Sequence, residues 1–262
     1  MTTTDPGAAL ATSPPRAAHR ARAAWAELAA PTPDPAPFDP ADVAALPAAA
    51  RRYLTHALAP GTPLRQSVEV SMVGQIRLGG GWWPFTARQV ISPAGYVWAA
   101  DARLHHVPVL GYDRYSGGTG EMRWRALGLL PVVHATGPDV TRSAAGRLAS
   151  EIALLPTAYA GATWSEAGPD TAVAAWGAGA EEQRVELRTD SSGRLLEVFL
   201  QRWGDPDGGA FDRVPFGVAL EQERTYDGIT VPTVVRAGWW RRTDRQDEGE
   251  FFRAEITAAV FR

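Results

Sequence analysis

The sequence predicts a mainly β chain of the α+β class. Its core is a large curved antiparallel sheet, or open half-barrel, of about ten strands. One long helix packs in the concave face, with short helices at the N-terminal end. Three observations carry this. Apolar and polar residues alternate with period two through most of residues 68–261, and Gly- and Asp-rich turn signals divide the runs. One segment, 138–155, switches to the helical period. Regular alternation of strand and helix patterns is missing, which argues against a parallel sheet.

Residues 1–40 read as an Ala- and Pro-rich N-terminal segment, disordered or partly helical, and residues 41–262 as a single β-rich cavity domain. The first fifteen residues are expected to be disordered. A short helix fits 16–30, and the PTPDPAPFDP run (31–40) suits a semi-rigid linker. A second helix fits 46–58, opening near Pro47 and stopped by Pro60-Gly61. In the first strand Val68, Val70, Met72, Ile76 and Leu78 alternate with polar residues, and Gly79-Gly80-Gly81 turns the chain. WWPFTARQVI and GYVWAADARLHHV follow as strands, and a hairpin then closes around Ser116-Gly117-Gly118. The helix begins at Pro138 and must end at Pro156. Along it Val140, Ala144, Leu148, Ile152 and Leu155 share an arc of about 120°. Six more strands run from TAVAAW to the GEFFRAEITAAVF segment. Ser191-Ser192-Gly193, Asp205 to Gly209 and Asp227-Gly228 supply turns among them.

Composition narrows the chemistry. The 262 residues include 26 basic ones, all arginine, with no lysine, cysteine or asparagine, and a net charge of −3. Schiff bases, phosphate-loop lysines, thiolate nucleophiles, disulfides and cysteine-bound zinc are thereby excluded. Scattered arginines give no footprint for nucleic acid. No run of 18 apolar residues exists, so no integral membrane span is expected. Without an apolar leader, the expected location is cytoplasmic. The oligomeric state is left open.

Glu151 stands out among candidate catalytic residues, because its helical angle places it inside the apolar arc between Leu148 and Leu155. Arg147 lies one turn earlier. The pair reads either as acid–base machinery facing a cavity or as an ion pair anchoring helix to sheet. His105 and His106, read as strand residues, point to opposite faces. With His134 before the helix, no metal-quality spacing results, so no metal and no cofactor are expected. There is no GxSxG motif, and the DPDGG run suits a hairpin turn better than a calcium loop. Ten tryptophans, nine of them at strand positions, suit core filling and the aromatic wall of a pocket.

Several motifs together resemble a bacterial family of unknown function. They are Leu46-Pro47 with Arg51-Arg52-Tyr53-Leu54, Gly74, Trp83-Pro84-Phe85-Thr86-Ala87, Val97-Trp98, Gly128-Leu129-Leu130-Pro131, Leu148-Ala149-Ser150-Glu151 and Pro156-Thr157-Ala158. They occur in order across residues 44–262. Trp203, where tyrosine is usual, and Asp101, in a strand that usually carries arginine, depart from the pattern. Some members of the family carry N-terminal membrane helices. The family resembles in turn the lipoprotein-carrier (LolA/LolB-like) half barrel. That resemblance implies a curved sheet holding a lipid-sized cavity plugged by helices, and implies little about activity.

The expected function is therefore a cofactor-independent enzyme acting on a hydrophobic small molecule by cyclisation, isomerisation or dehydration. Glu151 and Arg147 would supply the acid–base chemistry, assisted by His106 or His134. Trp83, Phe85, Trp98, Trp124, Tyr112, Leu148, Leu155 and Trp239 would shape the ligand site. A non-catalytic binder or carrier of lipids is the alternative, and a scaffold acting through its N-terminal segment a third.

Overall fold

The computed structural model describes residues 13–178 and 181–262. The disorder expected of the first fifteen residues falls mostly on 1–12, which lie outside the described residues. Two meanders build the sheet. The first runs through β1 (Val68–Leu78), β2 (Gly81–Ser92), β3 (Gly95–Leu104), β4 (Val107–Ser116), β5 (Thr119–Ala126) and β6 (Leu130–Ala135). The second runs through β7 (Thr163–Gly168), β8 (Thr171–Ala178), β9 (Glu181–Thr189), β10 (Leu195–Gly204), β11 (Asp212–Tyr226), β12 (Ile229–Trp239) and β13 (Glu250–Phe261). Pairing of β1 with β13 joins them into one antiparallel sheet in the order β6-β5-β4-β3-β2-β1-β13-β12-β11-β10-β9-β8-β7. The sheet stays open, with β6 and β7 as its two edges.

This topology explains the long helix. The chain leaves the first meander at one edge and must re-enter at the other. A flat sheet of this width would measure about 57 Å across. Helix α3 (Pro138–Glu151) is only about 21 Å long, yet it packs on β4 and β5 on one side and on β9 and β10 on the other. Only a strongly curved sheet allows that, and α3 lies across its concave face.

The main core fills the space between helix and sheet. Leu148 and Leu155 are fully buried there beside Tyr96, Val198 and Ile256. Helix α2 (Ala48–Ala57) inserts Tyr53 and Leu54 at the β7–β9 end, where Tyr53 meets Tyr159 edge-on at 5.8 Å. On the opposite face of the sheet, helix α1 (Arg22–Leu28) lays Trp25, 1% exposed, against Val90, Val97, Ala99 and Tyr112. Arg88 covers its ring at 5.4 Å.

Two sequence expectations need correction. Thirteen strands are present among the described residues rather than about ten. The two the pattern missed, β6 and β7, are the edges. Pro131 breaks the run in β6, and β7 has Trp164 as its one large apolar residue, features an edge strand tolerates. His105 and His106 are not strand residues. Register pairs Leu104 with Val107, so the two histidines form the two-residue turn, with φ of 47° and 72°. The β5–β6 end also leaves Leu129, Leu130 and Val132 more than half exposed.

Candidate ligand-binding site

A cavity of about 390 Å³ lies between α3 and the concave face of β1–β5 and β10–β13. Strand alternation builds its wall. The inward positions of β3 are Tyr96, Trp98, Ala100 and Ala102, and those of β12 include Val235, Ala237 and Trp239. Met72, Phe216, Leu220, Phe252 and Ile256 complete an apolar floor. The Trp98 indole N–H reaches Met72 Sδ at 3.4 Å. Phe85 stacks on Phe252 at 5.2 Å behind it. Leu78, Met122 and Phe211, each at least one-third exposed, flank the cavity where it meets the surface.

A polar girdle runs under the helix. Arg147 Nε donates to Glu151 Oε1 at 2.7 Å, and its Nη1 donates to Asp113 Oδ2 at 2.8 Å. Gln89 Nε2 donates to the other oxygen of Glu151 at 2.6 Å. The Trp124 indole donates to Asp113 Oδ1 at 2.8 Å. Arg147 also sits over the rings of Tyr96 and Trp98, at 4.8 and 5.1 Å. Burial alone would lower its pKa, but Glu151, Tyr96 and Asp113 raise it above its usual value, so the guanidinium stays charged. Burial pushes the Asp113 carboxyl up, against the pull of Arg147 and of the Trp124 N–H. Desolvation likewise raises the Tyr96 phenol, which therefore remains protonated.

A second cation, bonded to Ser143 one helical turn before Arg147, stands within electrostatic reach of this girdle. Arg202, 9% exposed, lies beneath α3 with its guanidinium over Phe216 and Trp239 at 4.7 and 4.9 Å. Its stem passes close to Gly146, where a Cβ would come within 3.0 Å of Arg202 Cγ. That contact accounts for a glycine inside a helix, a position that costs about 1 kcal/mol relative to alanine.

Of the residues singled out from sequence, Glu151, Arg147, Trp98 and Trp239 line the cavity together. Phe85 and Trp124 support the lining from behind, and Leu148 and Leu155 lie in the core that seats the helix. The remaining four lie elsewhere. Tyr112 points to the opposite face of the sheet, where it packs near Trp25 and donates to Glu121 at 3.1 Å. His106 is exposed in its turn, and His134 is exposed on edge strand β6, bonded to Arg123 at 2.9 Å. Trp83 packs against His105 at 4.2 Å near the β1–β2 turn. Strand parity separates Tyr112 from the cavity, because its neighbours Gly111 and Asp113 take the inward positions.

Sequence reading passed over Asp113, Gln89 and Arg202. The signal was present for Gln89 and Arg202. Arg202 follows Val198 and Leu200 at period two, and Gln89 lies between Ala87 and Ile91, so each is a polar residue on a buried face.

These features define a class: a β-rich protein with one helix-covered, mostly apolar cavity crossed by buried charge. The chain belongs to the family of unknown function DUF6544, whose model matches residues 36–252. Its fold is similar to a LolA-superfamily protein from Nitrosomonas europaea, at 10% identity over 80% of this chain and 90% of that one, with a TM-score of 0.44. It is also similar to a candidate outer-membrane lipoprotein-sorting protein domain from Vibrio parahaemolyticus. There the identity is 12% over 75% and 86% of the two chains, with a TM-score of 0.40. A DUF1329-family protein from Desulfovibrio piger gives 11% identity over 75% and 86%, with a TM-score of 0.37. No curated protein matches the sequence. Among the described residues, no helix is long and apolar enough to cross a membrane.

Proposed function

We propose that the protein binds one hydrophobic small molecule in the cavity under α3 and holds it without chemical change. The cavity itself carries this reading. Its volume of about 390 Å³ falls in the usual range for small-molecule sites, and most of its wall is aromatic or aliphatic. Acid–base catalysis by Glu151 has less support. Both of its oxygens already accept charge-assisted or short hydrogen bonds, from Arg147 and from Gln89. Neither His106 nor His134 lines the cavity. The girdle instead satisfies buried charges at the helix–sheet junction, an anchoring role.

Trp98 and Trp239 make the test direct, because an occupant would change their fluorescence. Dodecanol should give a saturable, one-to-one response with a Kd of roughly tens of micromolar, given methylene burial less the cost of association. Ala237→Trp should weaken it about tenfold or more, because the indole fills volume the alkyl chain needs. A linear response, or one that Ala237→Trp leaves unchanged, would count against binding in this cavity.

A further inference from the structure

Buried charge in the cavity is unevenly satisfied. Arg147 has two carboxylates at 2.7 and 2.8 Å. Arg202 has none: no carboxylate among the described residues forms an ion pair with it. Its two hydrogen bonds both go to Ser143, from Nε to the carbonyl at 3.2 Å and from Nη2 to the hydroxyl at 3.3 Å. Nη1 makes no hydrogen bond to the described residues, and the side chain lines the cavity.

A cation kept more than nine-tenths buried on aromatic faces is costly unless it is paired. Burial, with repulsion from Arg147 against the pull of Tyr96, Glu151 and Asp113, brings its pKa down to about 10, so it remains charged near neutral pH. Phe216 and Trp239 offset part of the desolvation through their ring faces. They leave Nη1 without an acceptor among the described residues, on a side chain that lines the cavity. Ser143 on α3 holds the guanidinium through two hydrogen bonds while the aliphatic stem passes Gly146, so its geometry is set before any ligand arrives.

We infer that the cavity's ligand is an amphipathic anion, whose apolar body lies against the cavity wall that includes Trp98 and Phe252 and whose single anionic group is taken by Arg202. This rests on the cavity being a binding site at all. A carboxylate and a phosphate monoester share the required chemistry, since either can accept from the planar fork of a guanidinium.

The test is a headgroup series on one alkyl chain, read by tryptophan fluorescence below the micellar concentration: dodecanol, dodecanoate, dodecyl phosphate and dodecyltrimethylammonium. For the unmodified protein, dodecanoate, dodecyl phosphate or both should bind about 10- to 100-fold tighter than dodecanol, the worth of one charge-assisted hydrogen-bonded pair. The ammonium compound should bind weakest. In Arg202→Gln that advantage should fall to within about twofold while dodecanol affinity is retained, and Arg202→Lys should keep part of it. Which anion leads identifies the headgroup source. Equal binding of dodecanol and both anions, preference for the cation, or an anion preference that survives Arg202→Gln overturns the inference while leaving hydrophobic binding intact. If none of the four compounds binds saturably, the binding reading itself fails. The series on the unmodified protein needs no variant to fold.

Discussion

Arg147→Met should lose about 3 kcal/mol of stability at pH 7, seen as a drop of roughly 10 °C in Tm. The guanidinium is the shared partner of Glu151 and Asp113, which are 19% and 11% exposed in their side chains. Removing it leaves two carboxylates facing each other in a low-dielectric space, with Gln89 and Trp124 as their remaining donors. Breaking a buried pair from one side typically costs about 3–5 kcal/mol, and the low end applies because the cavity keeps the group in contact with solvent. The loss should depend on pH with a definite sign. Burial already raises the Asp113 carboxyl, and losing the guanidinium that opposes this lifts it further, so in the variant protonation of Asp113 favours the folded state. The deficit should be small near pH 4 and grow as pH rises through the raised value. Urea unfolding at pH 4 and pH 7 checks this. A deficit that is the same at both pH values, or larger at pH 4, would mean that the girdle is not an ion-pair anchor.

Trp25→Ala should cost a comparable amount, about 3–5 kcal/mol, the usual range for emptying a buried large aromatic site. The sequence places Trp25 in an N-terminal segment set apart from the β-rich domain. In the structure its ring is 1% exposed, over Val90, Val97 and Ala99 and under Arg88. The strands it covers, β2 and β3, carry Gln89 and Trp98 on their inner face, so α1 supports the cavity wall from outside. Urea unfolding should remain a single transition with a lower midpoint. A loss below about 0.5 kcal/mol, the scale of ordinary surface substitutions, would show that the segment is not part of the folded unit.

Much of the architecture was legible because one face of the sheet is buried. Alternation such as Val68, Val70 and Met72 marks both the strand and its inward face. The glycine turns after β1 and β4 close hairpins at the expected positions. Helix α3 could be read because its period differs and prolines bracket it. The edges could not, since β6 and β7 bury little and so carry little pattern. Histidine at two successive positive-φ positions hid the β3–β4 turn, where glycine or asparagine is the usual signal.

The candidate site was half legible. Glu151 and Arg147 betray themselves as charge on an apolar helix face. Their third partner, Asp113, comes from a strand 34 residues from Arg147, and no local period links the two. Tyr112 misled because an aromatic strand residue fits either face of a sheet that is covered on both sides, and the packing of α1 on the outer face is a tertiary fact. Arg202 was readable by parity alone, yet an arginine in a strand invites the solvent-facing reading.

The central claim, that the space under α3 holds a hydrophobic ligand, is tested most directly by photolabelling. A dodecanol analogue carrying a diazirine on its alkyl chain, irradiated with the protein and mapped by peptide mass spectrometry, reports where the chain lies. Labelling should be saturable, fall in peptides carrying Trp98, Leu220 or Phe252, and be competed by unlabelled dodecanol. Labelling concentrated on the exposed Leu129–Leu130–Val132 stretch, or label that excess dodecanol does not displace from the cavity wall, would contradict it.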